Sequence, residues 1–187
     1  RYKLPKRFTL TTIGIGESTQ FCVFDIKPLF NKTLQIMNKQ RILMGIAVLA
    51  VAIQFIRPTK NQSEGVSAND ITKHYEVPAD VQKALKVSCY DCHSNNTTYP
   101  WYSNIQPVGW WLNHHVEEGK DELNFSEFAS YPKKKAAHKL EEVAEAVTDH
   151  WMPLDSYTWI HKDAILSDQD SKAIATWAKA LQDSLAK

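Results

Sequence analysis

The stretch Pro78-Ala-Asp-Val-Gln-Lys-Ala-Leu-Lys-Val-Ser-Cys-Tyr-Asp-Cys-His93 decides how this chain is read. Pro78 stands at a helix start, where its missing N–H costs nothing. Val81, Ala84, Leu85 and Ser88 follow at i, i+3, i+4 and i+7, a narrow face of small and apolar side chains that predicts a helix. That helix runs straight into Cys89-Tyr-Asp-Cys92-His93, the C-x-x-C-H pattern of covalent c-type haem attachment. The spacing suits the chemistry. Two thiols on one turn can each add to a haem vinyl group, and the neighbouring imidazole then meets the iron from the same side. Neutral imidazole is a good iron ligand, provided its second ring nitrogen donates elsewhere. A backbone carbonyl of the Tyr99–Pro107 loop is the expected acceptor. Two other chemistries compete. A zinc site needs two more ligands at suitable spacing, and the next histidines, His114 and His115, are adjacent. A redox or disulfide pair lacks a strand-to-helix setting and leaves His93 without a task.

Outward from the motif the pattern stays helical. Thr97–Pro107, with its prolines and aromatics, reads as an ordered loop, and Gly109–Glu118 as a helix carrying Trp110, Trp111, His114 and His115. Lys133–Thr148 is amphipathic, with Leu140, Val143, Ala144 and Val147 on one side. Trp151–Ile160 reads as a loop broken by Pro153. Ser167-Asp-Gln-Asp170 resembles a capping box, and the helix after it carries Ile174, Trp177, Ala178 and Leu181 on one face. The simplest packing sets the first and last apolar faces of the domain against each other.

A low-spin haem needs a second axial ligand. Of the three methionines in the chain, Met37 and Met44 lie near the N-terminus, so Met152, stiffened by Pro153, is the only thioether left for the domain. His115 is its rival; His114, His150 and His161 compete more weakly, and His138 sits among lysines as a solvated residue. Lys133, Lys134 and Lys135 read as a wet helix start, with a weak docking patch as the other use. Six tryptophans are generous for this length. They build either a core of large side chains or a wall around a flat cofactor, with Trp101, Trp110 and Trp111 placed to shield the ring.

Near the N-terminus, Met37-Asn-Lys-Gln-Arg41 precedes an apolar run ending at Ile56, closed by Arg57 and Pro58. A basic start followed by an apolar run is the pattern of an export signal. Met37 is therefore the expected biological start, and residues 1–36, with the isolated Cys22, an upstream extension. No small-x-small cleavage site follows the run, so 37–57 reads as an uncleaved signal anchor, with a cleaved signal peptide as the alternative. Lys39 and Arg41 keep the N-terminus in the cytoplasm and send the remainder to the periplasmic side of a bacterial inner membrane. Residues 58–70 read as a flexible polar linker and 71–187 as the haem domain. With 22 basic against 21 acidic residues and a net charge of +1, the chain lacks the basic excess that nucleic-acid binding needs.

The order Cys89-Tyr-Asp-Cys-His-Ser-Asn-Asn96, Tyr99-Pro-Trp-Tyr102, Pro107-Val-Gly-Trp-Trp111, His115, Asn124-Phe-Ser126, Met152-Pro-Leu154, Tyr157, His161 and Trp177 resembles the exported haem-binding domain of Bacteroidetes-type bacteria. The resemblance covers about Ile71 to Leu181. It implies a single-haem, cytochrome c-like domain, often behind a membrane anchor. The expectation is an all-α fold around one covalently bound haem c. Cys89 and Cys92 tether it, His93 is the proximal ligand and Met152 the distal one. The activity expected is single-electron transfer to an unidentified redox protein. The alternative is a haem enzyme or sensor, peroxidase-like or gas-binding, with an open or displaceable sixth site, where His114 or His115 acts as acid, base or hydrogen-bond donor.

Overall fold

The computed structural model describes residues 27–186, with side chains from Asn38 onward. The chain divides into two units, Arg1–Ile46 and Ala47–Lys187. The described part of the first belongs to helix α1, Lys27–Ala52, which continues into the second. Met37 falls inside α1, while Cys22 and most of the expected upstream extension lie outside the described residues. Ile42, Leu43, Met44 and Ile46 are all exposed. Among the described residues no helix is long and apolar enough to cross a membrane.

The second unit is all-helical among its described residues, as the periodicity predicts. After a 3-10 turn at Ile53–Phe55 come α2, Ile71–His74; α3, Ala79–Ser88; α4, Tyr90–His93; α5, Val108–Glu122; α6, Lys133–Thr148; α7, Asp155–Thr158; and α8, Asp168–Leu185. Further 3-10 turns span Trp101–Asn104, Phe125–Ser130 and Lys162–Ala164. Pro78 is the N-cap of α3. The capping box of α8 is present: Ser167 Oγ accepts from Asp170 N at 3.1 Å, and Ser167 N donates to Asp170 Oδ2 at 3.3 Å.

The core lies between α3, α6 and α8. Val81 and Leu85 of α3, Leu140 and Val147 of α6, and Ile174 and Ala178 of α8 are buried together. The expected pairing of first and last faces is realised, but α8 packs most extensively along α6. The reason is length: α6 offers Ala136, Leu140, Val143, Ala144 and Val147 to the core, a longer stripe than that of α3. The Phe125–Ser130 turn adds Phe128 and Phe125, both essentially inaccessible. Short aromatic turns of this kind carry no helical period and escape a search for one.

The segment read as a flexible linker is pinned down. Asn61 N donates to Tyr99 Oη at 2.8 Å, and its side-chain amide donates to Ser94 O at 2.8 Å and Thr97 Oγ1 at 2.9 Å. Lys120 Nζ donates to Asn61 Oδ1 at 2.6 Å, and Ser63 N to Asn96 Oδ1 at 2.9 Å. Polar composition suggests flexibility, but Asn61 satisfies backbone groups of the loop that follows the motif. At the end of the apolar run, the Gln54 side-chain amide donates through Nε2 to Gln106 O at 3.1 Å and accepts at Oε1 from Gln106 N at 2.9 Å.

Candidate functional site

The C-x-x-C-H motif spans the end of α3 and the single turn α4. Cys89 closes α3, with its N–H bonded to Leu85 O at 2.9 Å, and the His93 N–H returns to Cys89 O at 2.9 Å. That turn sets both thiols and the imidazole on the wall of one cavity of about 740 Å³. The volume lies within the roughly 300–1,000 Å³ typical of cofactor pockets. The cysteines are free thiols. Burial, with Cys92 beside it, pushes the Cys89 thiol up to about 12. Burial and the Asp91 carboxylate push Cys92 up to about 11. Both therefore stay protonated at neutral pH, unlike the thiolates of redox-active C-x-x-C pairs.

The motif's two middle residues point to different tasks. Tyr90 packs inward, stacked on Phe125 with ring centroids 5.4 Å apart. Asp91 ties loops together: its carboxylate accepts from Thr98 N at 2.9 Å and from Tyr157 Oη at 2.8 Å, and its carbonyl accepts from Thr97 Oγ1 at 2.6 Å.

His93 is held through Nδ1, which donates to Leu123 O at 3.0 Å. This corrects the expected acceptor: the carbonyl comes from the C-terminal end of α5, not from the Tyr99–Pro107 loop. The cause is close packing of α5 on α4. A Cβ on Gly119 would meet Cys92 O at 2.8 Å and Cys92 Cβ at 3.0 Å, so only glycine lets α5 cross here. With Nδ1 as donor, Nε2 keeps its lone pair for a ligand. Burial lowers the His93 pKa, opposed by backbone hydrogen bonds to Leu123 and Gly119, which keeps the ring neutral.

Around the same cavity stand Trp111, His115, Met152, Tyr102, Tyr157 and His161. Met152 and His115, the two candidates for a second axial ligand, thus share the cavity with His93. His115 Nδ1 is buried without a partner, and its ring lies 4.4 Å from that of Trp111. Trp101 and Trp110, expected as shields, do not line the cavity. Trp101 sits on the outer side of its 3-10 turn, 77% exposed. Trp110 faces away along α5, with Nε1 donating to Ile56 O at 2.7 Å. His114 points to water and pairs with Glu118 at 3.2 Å, which removes it from any distal role. His150 lines a separate groove between α6 and α8.

Sequence reading missed Asp91, Tyr102, Tyr157 and His161 as an interlinked group. Tyr157 stacks on His161 at 4.4 Å and 16°, and Tyr102 Oη lies 3.0 Å from His161 Nε2. Each was visible separately, Asp91 inside the motif and Tyr102, Tyr157 and His161 within the family pattern, but nothing in the sequence joined them. Among the described residues no group of three or more His, Cys, Asp and Glu side chains is arranged to hold a bare metal ion. The donor set is instead two neutral thiols, one neutral imidazole and one thioether around an aromatic-lined cavity, which fits a haem.

Residues 48–180 match the model of a family described as the haem-binding domain. No curated protein and no solved structure matches the chain.

Proposed function

Because the chain belongs to the haem-binding domain family, we propose that it is a monohaem c-type cytochrome that carries single electrons on the periplasmic side of a bacterial inner membrane. The observation that carries this reading is the placement of Cys89, Cys92, His93 and Met152 on one cavity, with His93 oriented through Leu123. Cys89 and Cys92 would tether the haem through thioether links, and His93 and Met152 would ligate its iron. The group supplies an iron centre that gains and releases one electron. The chain's own residues do the remainder. Leu123 O fixes the imidazole tautomer, Trp111 covers part of the cavity wall, and the largely apolar lining lowers the polarity around the group, which favours the less charged reduced state. The exposed apolar run after Met37 supports attachment to the membrane, with a cleaved export signal as the other outcome. The fold is then cytochrome c-like, with the redox partner a separate protein.

The test is expression of the full chain with a cytochrome maturation system. Haem is expected to stay on the protein through denaturing electrophoresis, with the mass of one haem added. Replacing Cys89 and Cys92 together by Ser is expected to abolish that retention. A colourless mature protein with both thiols free overturns the proposal. Fractionation of cells separates an anchored from a released protein.

A second reading has its own observation. The unpartnered Nδ1 of His115 suits a distal hydrogen-bond donor or rival ligand in a haem enzyme or sensor. The near-infrared methionine-to-iron band of the oxidised protein, compared with Met152→Ala, separates the two: a high-spin spectrum without the band favours the open-site reading.

A further inference from the structure

Residues 149–166 join α6 to α8 and carry Met152. Among the described residues, two side-chain hydrogen bonds tie this segment to the rest of the domain. Tyr157 Oη donates to Asp91 Oδ2 at 2.8 Å, and Tyr102 Oη meets His161 Nε2 at 3.0 Å. Both end on one aromatic pair, since Tyr157 and His161 lie stacked one helical turn apart. At the near end, Met152 N reaches Ala146 O only at 3.4 Å, a long bond. Asp91, by contrast, is already fixed by Thr97 and Thr98 on its own side.

We infer that Tyr157 is a positioning residue: by donating to Asp91, inside the cofactor-attachment motif, it fastens the Met152-bearing segment to that motif and sets how firmly the methionine sulfur is held at the site. The inference rests on the reading of Met152 as the distal ligand. It joins parts of the site that sequence distance keeps apart, since Tyr157 and Asp91 are 66 residues from each other along the chain. Burial and the neighbouring Asp91 carboxylate hold the Tyr157 hydroxyl well above the usual tyrosine range, so it stays a donor at physiological pH. A hydrogen bond to an ionised acceptor shifts an open–closed equilibrium by roughly tenfold to a hundredfold. Without it, the segment opens more often and a competing ligand enters more easily.

The experiment uses the haem-loaded full chain with imidazole as the competing ligand. Tyr157→Phe keeps the ring and its stack on His161 and removes only the donor. Its apparent affinity for imidazole is expected to rise about tenfold or more over wild type, with a weaker near-infrared methionine band. Asp91→Asn keeps an oxygen acceptor without the charge and is expected to give a smaller rise. Imidazole affinity within about twofold of wild type in both variants, in a protein whose wild type shows the band, overturns the positioning role and leaves the Met152 reading standing. A wild type that lacks the band and is unchanged by Met152→Ala removes the Met152 reading and this role with it. Should Tyr157→Phe fail to take up haem, the Asp91→Asn comparison decides by itself.

Discussion

Trp177 and Trp111 show two ways in which one residue type is used in this chain. Trp177, in α8, is 7% exposed, packed in the core and bonded through Nε1 to Glu76 O, while Trp111, in α5, is 50% exposed on the cavity wall. The difference runs through the whole second unit. The α3–α6–α8 side closes on itself: Leu85, Leu140 and Ile174 are all inaccessible. The α4–α5 side and the segment after α6 turn apolar side chains toward an open-mouthed cavity too large to be a packing defect. One side stores folding free energy. The other keeps a shape and a set of donors for something that is not protein.

The sharpest way to break this contrast is to mutate each side and compare stability with cofactor chemistry. Leu140→Ala removes a fully buried side chain and is expected to destabilise the domain by about 2–5 kcal/mol, read from urea unfolding. Met152→Ala removes a half-buried one and is expected to cost less than about 1 kcal/mol in cofactor-free protein, while abolishing the near-infrared band in the loaded form. Comparable costs from both substitutions would erase the distinction between the two sides. Gly119→Ala falls between them. Its Cβ meets the Cys92 backbone, so α5 must shift off α4 at a cost of about 1–3 kcal/mol. Because the shift displaces the motif, covalent haem yield is expected to fall alongside stability. Full haem yield with normal unfolding would show that the crossing tolerates a side chain.

The contrast also explains what was legible in the sequence. The core side was readable because its helices repeat apolar residues at i, i+3, i+4 and i+7. Val81 and Leu85, Leu140 and Val147, Ile174 and Trp177 could all be named from that period. The box opening α8 was readable because its hydrogen bonds are local. On the cavity side the motif spoke for itself, since covalent attachment demands neighbouring residues, and Met152, His115 and Trp111 could be named as candidates from residue type. The other contributors come from distant segments that meet only in three dimensions. Leu123 acts through a backbone carbonyl, which no side-chain pattern reveals. Tyr157 and His161 belong to the family pattern, but their joint task shows only when Asp91 and Tyr102 are placed beside them. Trp101 and Trp110 misled for the same reason: nearness in sequence to Trp111 does not fix the face of a turn or helix. Asn61 lies in a stretch whose composition suits a free linker, yet it bonds the loop behind the motif.

The smallest expected effect separates the two sides by pH. Burial depresses the His93 pKa in the folded domain, whereas the unfolded chain titrates near the ordinary value of about 6.5. Between those two values the unfolded state binds more protons than the folded one, so stability rises with pH across that window. Above about pH 6.5 the contribution is flat. Below it, cofactor-free protein loses stability until the folded pKa is passed. His93→Asn takes up no proton, so its stability deficit relative to wild type is expected to shrink as pH falls from about 7.5 to about 5.5, across the ordinary histidine pKa. The deficit of Leu140→Ala carries no such dependence, because no titrating group is involved. Urea midpoints of both variants against wild type at each pH check this. A His93→Asn deficit that stays constant would mean that the imidazole meets protons as freely in the folded cavity as in the unfolded chain, and the cavity side would lose the desolvated character that sets it up for a neutral ligand.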